Sequence, residues 1–194
     1  MIDPKDLTEL LNLGKSIVVL NYPFLDKFGV SVEFRDSQVI PLKECYRFLF
    51  DLSTESINIC SPFIEPASLL RYKSILLAKL NSKIKLRLVT RNLGITPVKP
   101  IGKFTEFVNE LNPNLRENIE FYEYHYTGIS GKLLSSIHAK FIVVDDKYAY
   151  LGSADIKETS LTKNLEIGVL TGNPEIVEVL SKLFKELIRI SIKI

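Results

Sequence analysis

The sequence predicts an α/β fold, because predicted helices and strands alternate along much of the chain. The 194 residues are 46% hydrophobic and 25% charged, as in ordinary globular proteins, and their length favours one domain over two small ones. Apolar runs such as residues 17–20 and 141–144 are far shorter than the ~20 residues of a membrane span. We therefore expect a globular protein without a transmembrane helix.

The first 40 residues predict a small N-terminal extension. Residues 4–13 carry leucines at helical spacing and precede Gly14, which favours a helix end. Short strands are expected at 17–20, 30–34 and 39–40, with a turn before the last of them, as in a hairpin. This helix and hairpin would lie outside a main domain that spans residues 41–194.

Helices and strands alternate in the first part of this main domain. Pro41 favours the start of a helix that runs to about Leu52, and a second helix is expected over residues 66–80. Residues 57–63 are mostly apolar and predict a buried strand that ends near residues 61–62. Residues 83–91 alternate basic with apolar side chains, which indicates a half-exposed strand.

The second half of the main domain continues the pattern and ends in a long helix. The predicted elements are a helix at 104–111, strands at 119–126, 136–145, 148–151 and 165–170, and a helix at 174–190, with a loop at 127–131. The expected inward residues of the last helix are Ile176, Val179, Leu180, Leu183 and Leu187. The apolar residues 190–194 are expected to dock on the domain.

Basic residues are concentrated in one part of the chain. Residues 67–105 contain nine basic residues and no acidic one, whereas the rest of the chain has 16 basic and 23 acidic residues. The nine are Arg71, Lys73, Lys79, Lys83, Lys85, Arg87, Arg91, Lys99 and Lys103. Such a distribution suits a polyanionic partner, although surface lysines that only confer solubility are an equal alternative.

The cysteines and the N-terminus give an expectation about the compartment. The chain has only Cys45 and Cys60, and two isolated cysteines are usually small buried apolar residues. The first residues are acidic where a signal peptide is basic, and no apolar core of a signal follows. We therefore expect a cytoplasmic protein.

His138 and Lys140 are the first candidates for chemistry. In an extended strand these two side chains project to the same face, while Ile137, Ala139 and Phe141 point to the other. Histidine can act as a nucleophile or an acid near neutral pH, and an ammonium group supplies the positive charge that a phosphodiester oxygen requires. The pair therefore suggests phosphoryl chemistry, although a lone histidine on a strand is more often structural.

The residues after His138 decide between these readings. They give His138-x-Lys140-x4-Asp145-x6-Gly152-Ser153, followed by Asp155, Asn164 and Glu166. This spacing resembles the HKD signature of the phospholipase D superfamily, and residues 57–63 and 85–90 are similar to the first half of that fold. The resemblance covers residues 41–190. It implies an α/β/α sandwich with a mixed central sheet flanked by helices.

The resemblance also implies a mechanism and an assembly. Members of the superfamily use two HKD motifs, and this chain has one, so a homodimer is implied. One His138 would attack phosphorus to give a phosphohistidine, while the other copy's His138 protonates the leaving oxygen. Lys140 and Ser153 would hold phosphate oxygens, and Glu166 would orient the imidazole. No metal and no cofactor are implied. Gly152 and Asp145 would support the motif, with Asp145 securing the strand end.

One residue departs from the family pattern. Asp155 stands where the family usually has an asparagine that donates to phosphate. The carboxylate could be protonated, it could pair with a lysine, or it could leave the site weak or inactive. Asn164 would take part of the donor role.

The resulting expectation is a metal-independent phosphodiesterase, first of all a nuclease. Arg91, Lys99 and Lys103 would bind nucleic acid, and no membrane partner is expected. Aromatic side chains on the strand at 119–126 would stack bases or, more commonly, form core or interface: Phe121, Tyr122, Tyr124 and Tyr126. The alternatives are a non-catalytic nucleic-acid-binding module and a phospholipid phosphodiesterase or transphosphatidylase.

Overall fold

The computed structural model describes residues 3–21, 39–91, 100–130 and 133–194. Its helices are α1 (Pro4–Asn12), α2 (Leu42–Leu52), α3 (Pro66–Leu70), α4 (Lys73–Asn81), α5 (Pro100–Leu111), α6 (Glu158–Thr162) and α7 (Pro174–Ile190), with a 3-10 helix at Pro113–Asn118. Its strands are β1 (Ser16–Asn21), β2 (Val39–Pro41), β3 (Ser56–Cys60), β4 (Lys85–Thr90), β5 (Ile119–Glu123), β6 (His125–Thr127), β7 (Leu133–Ser136), β8 (Phe141–Val144), β9 (Tyr148–Gly152), β10 (Glu166–Thr171) and β11 (Ile192–Lys193).

Nine strands form one mixed sheet, in the order β11-β5-β4-β3-β8-β9-β10-β1-β2, and β6 pairs with β7 in a separate small sheet. The strands β3, β4 and β5 run parallel to one another. From β3 through β8, β9 and β10 to β1, each neighbouring pair is antiparallel. The α/β class, with a mixed sheet flanked by helices, is therefore confirmed. No described helix is long and apolar enough to cross a membrane.

The described strands of the N-terminal extension lie in the central sheet, whereas the predicted hairpin stays a prediction, because most of it falls on residues outside the described ones. β1 pairs antiparallel with β10 over its whole length and parallel with β2. Ile17 and Val19 are buried in the main core, so apolar burial holds β1 in the central sheet. The strand at 30–34 and the turn at 35–37 lie outside the described residues, and the division at residue 41 stays a prediction.

Two other elements differ from the predicted ones. The predicted helix at 66–80 is two helices, because the chain turns at Tyr72 and places that ring edge-on against Phe50, 5.2 Å between centroids. The predicted strand at 119–126 is divided after Glu123, where β6 leaves the main sheet to pair with β7. Local periodicity does not predict either break, because each break depends on a tertiary contact: Tyr72 with Phe50 in one case and β6 with β7 in the other.

The two faces of the sheet are covered unequally. One face packs against α1 to α6 in the larger core, and the other packs against α7 in a smaller core. The predicted inward face of α7 is partly wrong, since Val177, Ser181 and Phe184 are its buried residues. Leu180 and Leu187 pack partly against the core, whereas Ile176, Val179 and Leu183 are exposed. The helix has apolar residues on more than one face, so periodicity alone does not choose between them.

The C-terminal segment docks as expected, because β11 pairs antiparallel with β5. Glu120 joins this edge to β4, with its carboxylate 3.0 Å from Arg87 Nε and 2.6 Å from Lys193 Nζ. Burial raises the pKa of Glu120, but hydrogen bonds from Lys193 and Arg87 outweigh burial and hold it below its ordinary value. The carboxylate therefore stabilises this edge in its charged form.

Both cysteines are buried and unpaired. Burial raises the pKa of the Cys60 thiol to about 12, so the thiol remains protonated at neutral pH. The interpretation of the cysteines as small buried apolar residues is confirmed.

Candidate active site

His138 and Lys140 lie in the segment that joins β7 to β8, rather than in one continuous strand over residues 136–145. Their side chains nevertheless meet, as the alternation predicts: Lys140 Nζ lies 3.4 Å from His138 Nδ1 and donates to the His138 carbonyl at 2.8 Å. Ile137 and Phe141 are buried on the other side, although Ala139 is exposed. Gly152 N donates to the Lys140 carbonyl at 3.1 Å and attaches the segment to β9. The imidazole of His138 is exposed.

Asp145 secures the end of β8, as predicted. Its carboxylate accepts from the backbone N–H groups of Thr54, Glu55 and Ser56 at 2.7–2.8 Å and from the Thr54 hydroxyl at 2.8 Å. Asp145 and Asp146 have φ values of 57° and 51°, which fits the tight β8–β9 turn, since aspartate tolerates this backbone region better than most residues. These bonds tie the motif-bearing hairpin to the start of β3.

Gly152 is a packing requirement at the end of β9. A Cβ there would lie 2.7 Å from the Ile167 carbonyl and 2.8 Å from the Gly168 Cα, and it would also meet the buried Tyr150 hydroxyl. The absence of a side chain therefore lets β9 and β10 approach around the Tyr150 ring. The next residue, Ser153, is placed beside β10 by this approach, and its N–H donates to the Ile167 carbonyl at 2.9 Å.

Ser153, Asn164 and Glu166 form a hydrogen-bonded group. Ser153 Oγ donates to one Glu166 carboxylate oxygen, and Asn164 Nδ2 donates to the other at 3.1 Å. Ile167 N donates to Ser153 Oγ at 3.1 Å. Within this single chain no hydrogen bond joins Glu166 to His138, and its support of an imidazole in a site shared by two copies stays a prediction. Ser153 and Asn164 reach the carboxylate first, because all three lie at the adjoining ends of β9 and β10.

Asp155 is paired with lysines, which is the second of the three outcomes considered for it. Its side chain is 9% exposed, with Lys157 Nζ at 3.3 Å and Lys140 Nζ at 4.0 Å. Ser61 Oγ donates to Oδ1 at 3.1 Å. The carboxylate thus holds Lys140 next to His138, and two cations compensate its charge.

Lys157 is a site residue that the sequence reasoning missed. It stands two residues after Asp155, a spacing that puts both side chains on one face of an extended segment and could have indicated the pair. Its Nζ also lies 5.1 Å from the centroid of the Phe63 ring.

Arg91 meets the same aromatic ring. Its guanidinium carbon lies 4.6 Å from the Phe63 centroid, and Nη1 donates to Ser136 Oγ at 3.2 Å. Ser136 ends the strand that leads to His138, so the end of β4 does reach the motif, as predicted for Arg91. Lys99 lies outside the described residues, and Lys103 lies within α5.

The aromatic residues of the 119–126 segment are mainly core. Tyr122 is buried, Phe121 and Tyr124 pack partly against the two cores, and only Tyr126 is largely exposed. Base stacking by this segment is therefore not supported for most of its members.

Comparison with known proteins identifies the family. Residues 47–188, which contain the whole motif, match the family described as "Cardiolipin synthase, PLD-like domain". The chain belongs to the phospholipase D-like family. A relative, the DISARM protein DrmC of Bacillus paralicheniformis, is 38% identical over 76 residues, which are 39% of this chain and 30% of that protein. The chain therefore matches less than a third of the length of that relative.

Three solved structures share the fold. NucT from Helicobacter pylori has a TM-score of 0.64 at 14% identity, over 93% of this chain and 100% of its own. The phospholipase D family member Nuc from Salmonella typhimurium has a TM-score of 0.62 at 16% identity, over 93% and 97%. Phosphatidylserine synthase from Haemophilus influenzae Rd KW20 has a TM-score of 0.62 at 14% identity, over 92% and 40%.

The phospholipase D-like motif of this chain supplies one exposed imidazole beside one ammonium group. The second described histidine, His125, lies in β6 with Nδ1 3.2 Å from a Glu123 carboxylate oxygen. A single described copy therefore presents one HKD histidine, together with cations that can hold a phosphate.

Proposed function

We propose that this protein is a metal-independent nuclease that hydrolyses DNA or RNA through a phosphohistidine intermediate, at a site shared by two copies of the chain. The observation that carries the proposal is that the exposed His138 imidazole lies 3.4 Å from Lys140 Nζ. The Asp155 carboxylate lies on the same ammonium group, at 4.0 Å. The nuclease-type structural neighbours NucT and Nuc support the choice of nucleic acid.

The proposed reaction has two displacement steps. An imidazole nitrogen of one His138 attacks phosphorus, the P–N bond forms and the P–O bond to the leaving oxygen breaks. The imidazolium of the other copy's His138 gives its proton to that oxygen. Water then attacks phosphorus, gives a proton to the now neutral second imidazole, and the P–N bond breaks. Lys140 has ammonium protons available for the phosphate oxygens beyond its bond to the His138 carbonyl.

Nucleic acid is favoured as the substrate by the cations around the motif. Arg91 and Lys157 lie beside it, whereas Arg71 and Arg87 of the acid-free segment 67–105 pair with Glu158 and Glu120. Substitution of Arg91 and Lys103 by glutamine is expected to weaken binding and to lower the slope of log K against log salt by about one unit per lost phosphate contact. An unchanged slope in both variants would mean that these residues serve solubility alone.

The dimer is proposed to form on the sheet face that α7 leaves uncovered. Val18, Val169 and Leu151 stand in one row across β1, β10 and β9, and all three are at least partly exposed. Ile167 on the same face of β10 is 61% exposed and adjoins the Ser153–Glu166 group. A second copy seated here would bury an apolar face that is continuous with a site that needs a second histidine.

Activity in the presence of a chelator tests the chemistry. The protein is incubated with DNA and RNA oligonucleotides, and the products are separated on a gel. His138→Gln is expected to abolish cleavage, whereas His125→Gln, a change of the other histidine, is expected to retain it. Absence of oligonucleotide cleavage by the native protein, or activity only on phospholipid vesicles, would contradict the nuclease proposal. Full activity of His138→Gln would contradict the mechanism.

Mixing of native and His138→Ala chains tests the shared site. Under subunit exchange, a mixed dimer holds a nucleophile without an acid or an acid without a nucleophile, and general acid catalysis is worth about 10²–10⁴-fold. Activity is therefore expected to fall as the square of the native fraction. A linear fall would show that each chain carries a complete site and would refute both the shared site and the two-histidine mechanism.

A further inference from the structure

We infer that Arg91 and Lys157, whose charged groups both contact the Phe63 ring, form a second phosphate-binding subsite beside the HKD motif. The inference rests on the proposed function and specifies its substrate class. A substrate would have to carry a second phosphate next to the scissile one, as a polynucleotide strand does and a glycerophospholipid with a single phosphodiester does not.

The loop that carries Phe63 is fixed from two sides. On one side Ser61 N donates to the Val89 carbonyl and Thr90 Oγ1 donates to the Pro62 carbonyl, both at 3.1 Å. On the other side Ile64 forms a bridge with Ile156, and Glu65 N donates to the Ile156 carbonyl at 2.7 Å. The loop therefore joins the end of β4 to the Asp155–Lys157 segment.

Phe63 itself has no role in the core. It is 45% exposed, although the neighbouring Ile64 is buried. Arg91 and Lys157 lie 4.6 Å and 5.1 Å from its ring centroid, within the range of a favourable cation–π contact. The ring therefore keeps two cations side by side next to the motif, where both can bind one anionic ligand.

Arg91 carries the stronger part of the argument. It has no carboxylate partner within 4.0 Å among the described residues, whereas Lys157 shares Asp155 with Lys140. Its Nε is buried without a hydrogen-bond partner in the described part of the chain. A buried guanidinium nitrogen with an unused donor is costly and is satisfied when an anion binds.

The distances fit neighbouring phosphates of one strand. Arg91 and Lys157 contact the same ring, so their charged groups are no more than about 10 Å apart. Lys157 and Lys140 contact the same carboxylate, which places their Nζ atoms within about 10 Å of each other. At the ~3.4 Å rise of one strand per nucleotide, Lys157 is therefore within about three nucleotides of Lys140, and Arg91 is within about six.

Neutral linkages in the substrate test the subsite. Oligonucleotides are prepared with one uncharged methylphosphonate at successive positions around a single cleavable phosphodiester, and kcat/KM is measured with a chelator present. For the native protein, one flanking methylphosphonate is expected to lower kcat/KM roughly tenfold or more, since a charge-assisted hydrogen bond is lost. In Arg91→Gln and Lys157→Gln the flanking methylphosphonate is expected to leave kcat/KM nearly unchanged, because the contact to the flanking phosphate is already absent.

Phe63 is tested as a positioning residue. Phe63→Leu keeps an apolar side chain without the aromatic face, and the methylphosphonate is expected to lower its kcat/KM less than it does for the native protein. Phe63→Tyr keeps the aromatic face and is expected to show the native decrease in kcat/KM. Lys147→Gln is the matched control, since Lys147 lies over the Tyr148 ring at 5.1 Å in a different part of the chain. For a dinucleoside monophosphate, which has one phosphate, the loss of kcat/KM in the Arg91 and Phe63 variants is expected to be smaller than for an oligonucleotide, whereas Lys147→Gln is expected to cleave both substrates at the native rate.

The outcomes separate the subsite from the proposed function. Failure of the native protein to cleave any oligonucleotide would overturn both. Cleavage by the native protein with no penalty at any flanking position, or with a penalty that the Arg91, Lys157 and Phe63 variants keep in full, would overturn the subsite and leave the nuclease intact.

Discussion

Asp155→Asn is expected to preserve or raise phosphodiesterase activity. Asparagine retains a carbonyl oxygen that can accept from Ser61 and Lys157, while the negative charge disappears. A phosphate oxygen bonded to Lys140 Nζ, which lies 4.0 Å from the Asp155 carboxylate, would be at most about 7 Å from that carboxylate. Two unit charges at this distance repel by about 2 kcal/mol at an effective dielectric constant of about 20.

This repulsion sets the order of magnitude of the effect. About 2 kcal/mol corresponds to roughly 30-fold in affinity. The two lysines already compensate part of the carboxylate charge, so we expect KM to fall by roughly tenfold or less, with kcat unchanged or higher. Steady-state hydrolysis of an oligonucleotide with a chelator present measures both constants.

Asp155→Ala is the matched comparison. It also removes the charge, but it leaves Ser61 and the two lysines without their acceptor, so kcat is expected to fall while the folded structure persists. A loss of kcat of more than about a hundredfold in Asp155→Asn, with unchanged circular dichroism and thermal unfolding, would refute the reasoning. The carboxylate would then have a chemical role of its own.

Three further predictions concern packing, pH and assembly. Gly152→Ala is expected to lower the free energy of unfolding by about 2–3 kcal/mol in urea titrations, because the new methyl group meets β10 backbone and the Tyr150 ring; an unchanged midpoint would contradict this packing. The pKa of Glu120 is lowered in the folded protein, so its stabilisation is present above the ordinary value of 4.5 and is lost as pH falls through the folded-state pKa. Glu120→Gln should therefore flatten the dependence of unfolding free energy on pH between about pH 5 and 3, by about 1 kcal/mol for this partly buried network; identical slopes would refute it. Val18→Asp is expected to give monomers in sedimentation and to abolish cleavage, whereas Leu13→Asp, a change at an exposed leucine just after α1, should leave a dimer; a dimeric, active Val18→Asp protein would exclude this face as the interface.

The sequence determined the chemistry-bearing residues and the order of most elements. The fixed spacing from His138 to Glu166 identifies the family, because each interval is set by a strand, a tight turn or a paired strand end. The position of Asp145 next to a predicted turn indicated that its carboxylate secures the end of the strand. Strands such as β8 and β10 were readable because their apolar pattern is local to the chain.

Tertiary structure alone decided how those residues are connected. Glu166 bonds Ser153 and Asn164 instead of His138, and Asp155 pairs with Lys157 and Lys140, because β9 and β10 end side by side. The position of β1 next to β10 depends on a contact between residues about 150 apart in the chain, which no local pattern records. The meeting of Phe63 with Arg91 and Lys157 has the same origin. Hydrophobic periodicity reports which side of an element is apolar, whereas the partner that covers that side is chosen by the packing of the whole chain.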